Sequence, residues 1–268
     1  MTMTKQIKSI AAAGVVIPCL LFLAACGLQA STGASGGVAG TLARLEPLTA
    51  NCHGPVNAYD GVDVSVSGRK PTLIRNRLQA AHDLADQVAA CGGYMKVVAF
   101  SNGAAETFTL GEAQFPTSSG TETARLIQAN NAETDLLNEV EDTLPKALRQ
   151  LHAGGTDVLA QLTLARQFAE QRPGGKLYVE LATDGISTTK PVVMNTPDFT
   201  KKAARLAAEH ALLPKLASAS VRIVGVGQTA GAKRPSTTRI NALTTFYELA
   251  CRRSGADCQV TTDYTTGG

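Results

Sequence analysis

The chain has 268 residues, 44% of them apolar and 18% charged, with 25 Gly, 11 Pro and no Trp. That profile excludes collagen, coiled coil and a disordered polymer, and 4% aromatics leave little for a sugar-binding or base-stacking platform. Formal charge is +3, and setting aside Lys5 and Lys8 leaves 23 basic against 22 acidic residues, too even a balance for the basic field that nucleic acid requires.

Residues 1–25 read as an export signal. Lys5 and Lys8 form a positive head, and the apolar run Ile10–Leu23 is too short for a comfortable permanent span yet suits a signal-peptide core. The run closes in Leu23-Ala24-Ala25-Cys26, which resembles the lipobox of bacterial lipoproteins, where the chain is cut before a cysteine that then carries acyl chains. The alternative is an ordinary secretory cut near the same alanines; either way the mature protein is exported. On the first reading Cys26 is the lipidated residue and the protein is held to the extracytoplasmic face of a membrane. The stretch GLQASTGASGGVAG at 27–40 has little to bury and reads as a flexible tether. These features divide the chain into a signal at 1–25, a tether at 26–41 and one folded head at 42–268.

Within the head, strands and helices alternate. Val56–Ser65 suits a first strand, although Asp60-Gly61 interrupts its apolar character. Pro71–Cys91 carries Ile74, Leu78, Ala81, Ala85 and Val88 at helical spacing, Gly92-Gly93 ends that helix, and Met95–Phe100 is a second strand. Ser101-Asn102-Gly103 signals a turn, and Thr107–Leu110 returns antiparallel at the sheet edge. Residues 119–150 are helix-compatible, with Pro145 expected to break or kink them. A helix follows over Thr156–Ala169, then a buried strand at Leu177–Ala182. A helix over Phe199–Leu216 is interrupted at Pro214, and Val221–Val226 is again a strand. A last helix is striped by Ile240, Leu243, Tyr247 and Ala250, and Gln259–Thr262 closes the sheet. Such alternation specifies an α/β fold, a doubly wound, mainly parallel sheet with helices on both faces.

Cysteine usage agrees with export. Cys19 leaves with the signal, and Cys52, Cys91, Cys251 and Cys258 remain as an even set that allows three pairings. In a parallel sheet each crossover helix returns the chain to the face where strands begin. Cys52 precedes the first strand and Cys91 ends the first helix; Cys251 closes the last helix and Cys258 begins the last strand. The expected bridges are therefore Cys52–Cys91 and Cys251–Cys258, both remote from the ends of the strands where ligands bind.

One constellation carries chemistry. The first strand ends in Asp63-Val64-Ser65-Val66-Ser67, Thr156 follows Gly154-Gly155, and Asp184 follows the fourth strand. With strand order 3-2-1-4-5-6, strands one and four are neighbours where the order reverses, the place at which doubly wound sheets bind ligands. Two carboxylates and three hydroxyls converging there suit Mg²⁺, or Mn²⁺ or Ca²⁺, and not a soft metal.

This pattern resembles the metal ion-dependent adhesion site of the von Willebrand factor type A (integrin I-like) family: D-x-S-x-S, a distant Thr, then a distant Asp, over about residues 55–265. The resemblance implies that Ser65 and Ser67 hold the cation directly, Thr156 directly or through water, and Asp63 and Asp184 often through water. It further implies that an Asp or Glu of a protein partner completes the coordination shell. Departures are Val66 where many members have Gly, Arg69 two residues beyond Ser67, and a long Gly111–Gly155 segment.

The remaining residues have plainer readings. His152 is a surface histidine, and Glu139, Glu141 and Asp142 form a solvated helix face. Cys52-His53 has no partner ligands nearby, and no G-x-S-x-G or well-placed His activates the serines. The expected function is a membrane-anchored, non-enzymatic binding module using a divalent cation. An envelope scaffold or assembly factor with a structural or empty site is the alternative, and no nucleic acid is expected as a partner.

Overall fold

The computed structural model describes residues 37–264 apart from 153, 173, 232 and 233. The signal segment, Cys19 and Cys26 lie outside the described residues. Six strands form one sheet in the order β3-β2-β1-β4-β5-β6. They are β1 (Val56–Asp63), β2 (Gly93–Phe100), β3 (Thr107–Phe115), β4 (Lys176–Ala182), β5 (Ser220–Val224) and β6 (Asp257–Val260). All neighbours are parallel except β3, which runs antiparallel to β2 at the edge. This is the expected α/β class with the expected strand order.

Alternation along each strand sends side chains to opposite faces and sets up two cores. Ala58 and Val62 of β1 with Met95, Val97 and Ala99 of β2 pack against three helices: α1 (Val38–Thr49), α2 (Pro71–Cys91) and α3 (Glu122–Gln150). Tyr59, Val179, Leu181, Val221 and Ile223 face the other way, toward α4 (Val158–Glu170), α5 (Lys201–His210) and α6 (Thr237–Ser254).

Several elements differ from the sequence expectation. The helix α1 was not anticipated, and its first residues fall in the stretch read as tether. Its anchor is Leu45, fully buried, while Arg44 bonds Glu133 Oε1 at 2.8 Å and Asn130 Oδ1 at 2.7 Å on α3. Pro145 does not break α3, which runs through it for 29 residues; the buried Leu136, Val140, Leu144 and Ala147 keep the helix packed across the lost hydrogen bond. Asp60-Gly61 does not interrupt β1, all eight residues of which are buried. The helix α4 begins at Val158, with Asp157 as its cap accepting from the Ala160 N–H at 3.0 Å, so Thr156 lies before the helix and not on it. The helix α5 stops at His210, ahead of Pro214.

Cys52 is bonded to Cys91 and Cys251 to Cys258, with Cα separations of 5.2 and 6.0 Å. Both bridges lie where strands begin. The first ties the end of α1 to the end of α2, and so holds an element that a short, proline-containing helix could not hold by propensity alone.

Candidate metal centre

At the carboxyl end of β1 the chain leaves the sheet, and Asp63 is held from two sides. Its Oδ1 accepts from the Ser65 N–H at 2.8 Å, and its Oδ2 accepts from the Thr183 hydroxyl at 2.7 Å. A single turn of 3-10 helix, Val66–Gly68, then folds Ser67 back until its Oγ is 3.1 Å from Ser65 Oγ. Gly68 serves this loop by permitting close approach rather than a reversal: a Cβ there would stand 2.6 Å from the Asp63 carbonyl oxygen and collide with the guanidinium of Arg77.

The second carboxylate arrives from β4. Asp184 Oδ1 accepts from the Ile186 N–H at 2.8 Å. Asp184 Oδ2 is buried and has no hydrogen-bond partner among the described residues. Burial, and next the negative charge of Asp63, push the Asp184 carboxyl up to about 6, against the pull of Ser67, the Ile186 amide and Arg77. A buried acid oxygen without a donor, beside a second carboxylate, is the position a cation relieves.

Thr156 approaches from the loop before α4, where its N–H donates to Thr188 Oγ1 at 2.9 Å and its carbonyl accepts from Ser187 Oγ at 3.2 Å. The β5–α6 loop leans on the same place, the Ala230 N–H donating to the Ser67 carbonyl at 2.7 Å. Ser65, Ser67 and Thr156 open into one groove of about 500 Å³ whose walls include Val66, Ile186 and Thr188. The structure thus brings Asp63, Ser65, Ser67, Thr156 and Asp184 to one point. Among the described residues no cluster of three or more His, Cys, Asp and Glu is found, so a cation here would rest on hydroxyls, two carboxylates and water. This all-oxygen set fits a hard divalent ion.

Arg69, a potential competitor, is turned away. Its Nε donates to the Val64 carbonyl at 2.7 Å and its Nη2 to the Leu151 carbonyl at 2.6 Å. His152 is exposed and pairs with Glu106 at 2.9 Å, away from the hydroxyl cluster. Glu139, Glu141 and Asp142 are exposed on α3.

Sequence reading missed three participants. Thr183 directly precedes Asp184, and as a buried hydroxyl just beyond the end of β4 it needed an acceptor. Arg77 stands three residues after Ile74 and four before Ala81, a charge set into the apolar stripe of α2, and that spacing was the available signal. Tyr264 is beyond β6, and nothing local marks it.

No family model matches the chain, and no curated protein matches it. Solved structures do. Proximal thread matrix protein 1 from the mussel byssus shares 19% identity at a TM-score of 0.43, over 80% of this chain and 45% of that one. This chain therefore spans less than half of the mussel protein, which was also solved with a zinc-occupied MIDAS motif. An aerotolerance-related membrane protein from Bacteroides fragilis shares 17% at 0.38, over 78% of this chain and 92% of that one. Manganese-loaded Plasmodium vivax TRAP protein shares 16% at 0.37, over 74% of each. At these values the likenesses carry no statement about function.

Proposed function

We propose that the chain is an exported binding module, lipid-anchored at Cys26. It holds a Mg²⁺-type cation at Asp63, Ser65, Ser67, Thr156 and Asp184, and takes an acidic side chain of a protein partner at the groove. The observation that carries this reading is the unpartnered, buried Asp184 Oδ2 set beside the paired Ser65 and Ser67 hydroxyls. The groove supports it, since it opens over Ser65, Ser67 and Thr156 together. The two disulfides support an oxidising compartment. When bound, the cation would supply a Lewis-acidic coordination position. Ser65 and Ser67 would face it directly, while Asp63, with both oxygens already accepting, is suited to act through water.

Calorimetric titration of Mg²⁺ into the mature chain tests the site. Binding is expected for the wild type and is lost in Asp184→Ala with the circular dichroism spectrum unchanged; equal affinity in both proteins would overturn the assignment. Affinity capture with Mg²⁺ and with chelator then identifies the partner. Cys26→Ser is expected to move the protein from the membrane to the soluble fraction, and a mature N-terminus without acyl mass would remove the anchor from the proposal.

A further inference from the structure

Directly behind the candidate metal centre lies a cation that belongs to the protein. Arg77 is fully buried on α2. Its Nη1 donates to the Asp63 carbonyl, its Nε donates to Tyr264 Oη at 3.3 Å, and its Nη2 has no partner among the described residues. Two glycines make the room. Gly68 leaves space for the guanidinium, and Gly225, at φ +82°, lets the Tyr264 ring lie against the backbone where a Cβ would overlap it. Tyr264 is brought there by the segment after β6, which hydrogen-bonds back to β5 through Gly225 N–H to Asp263 O at 3.3 Å and Val226 N–H to Thr261 O at 3.0 Å.

A buried guanidinium requires a countercharge. Against the cost of burial, Asp63, then the Tyr264 phenol, then Asp184 favour the ionised arginine, and both carboxylates are fully buried. Charge balance then has a direct consequence. Two carboxylates and one guanidinium leave the bare site at −1. A divalent cation takes it to +1, and one bound carboxylate returns it to zero. In a buried cluster the neutral assembly is the favoured one.

We propose that Arg77 is a positioning residue that sets the charge of this centre: it weakens the cation when bound alone and makes cation and anionic ligand bind together. This rests on the reading of Asp63 and Asp184 as the cation's carboxylates. By linkage, whatever the ligand adds to cation affinity the cation adds to ligand affinity. Without Arg77 the cation-loaded site is already neutral, and the advantage of an anion falls away.

The test is Mn²⁺ affinity of the mature chain, measured by electron paramagnetic resonance in acetate and in chloride at equal ionic strength. The wild type is expected to bind Mn²⁺ more tightly in acetate. Arg77→Gln is expected to bind Mn²⁺ about tenfold more tightly in chloride, with little further gain from acetate. Arg77→Lys, which keeps the charge, should behave as the wild type. If Arg77→Gln does not fold, Tyr264→Glu sets a carboxylate beside the guanidinium and is expected to raise Mn²⁺ affinity in the same way. Weaker or unchanged Mn²⁺ binding in the charge-removing variant, or an undiminished acetate effect, overturns the assignment to Arg77. Wild-type Mn²⁺ binding that is absent, or unaffected by Asp184→Ala, overturns instead the metal reading beneath it.

Discussion

The interior of the sheet carries a charged row, and its behaviour with pH can be calculated. Asp60, Glu180 and Arg222 are register partners on β1, β4 and β5, so they stand abreast on one face. Arg222 Nη1 meets Glu180 Oε2 at 2.8 Å, and neither oxygen of Asp60 has a hydrogen-bond partner. Burial and then the charge of Glu180 hold the Asp60 carboxyl well above its ordinary range. Burial, countered by Arg222 and reinforced by Asp83, pushes Glu180 up to about 7 from an ordinary 4.5. A carboxyl raised by folding contributes its full share of stability below about 4.5, where it is protonated in both states. That share is lost as pH rises through 7, because the unfolded chain ionises first. The interval of about 2.5 pH units corresponds to about 3 kcal/mol, or roughly 6–12 °C in Tm for a domain of this size. Urea unfolding of the wild type and Glu180→Gln at pH 4.5 and pH 8 measures it. The variant mimics the protonated acid and keeps no titrating group at this position, so its stability is expected to fall by about 3 kcal/mol less across the interval. Both proteins carry the Asp184 titration, so it cancels, and the difference reports Glu180 together with the part of the Asp60 shift that the Glu180 charge causes. Equal falls in the two proteins would refute the reasoning.

Two further outcomes are expected. Thr183→Val removes the hydroxyl that holds Asp63 Oδ2 while keeping the shape of the side chain, and should weaken Mg²⁺ by about 10–100-fold in calorimetry, with Thr183→Ser restoring it. Replacing Cys52 and Cys91 together by Ser opens a loop with a sequence separation of 39, for which the chain-entropy estimate is about 4 kcal/mol, read from the urea midpoint; a loss below about 1 kcal/mol would mean that α1 is held by its own packing alone.

The local patterns that read well share a physical basis. The 3.6-residue stripe of α2 and the apolar runs of β2, β4 and β5 are local signals because burial of one face repeats with the period of the backbone. The alternation of strand and helix then carried the bridge pairs, since crossover helices return the chain to the end of the sheet where strands begin. Of the five proposed ligands, Asp63 and Asp184 stand at or just past the ends of strands that the periodicity placed, and the set as a whole was read through the resemblance.

The readings that failed concern side chains whose packing or charge partners lie in distant segments. Pro145 reads as a helix breaker, yet tertiary packing of Leu136, Val140, Leu144 and Ala147 keeps α3 continuous. Asp60 reads as an interruption, yet it lies within a buried strand beside Glu180 and Arg222, groups 120 and more positions away. Gly68 is a clearance for Arg77, a neighbour that only the fold brings against it. By itself, then, the sequence determined the α/β class and the oxygen-rich cluster, because periodicity and spacing are properties of neighbouring residues. Only the tertiary structure decided that a buried arginine and a distant tyrosine stand behind that cluster, because charge balance in a low-dielectric interior is a property of groups that meet in space.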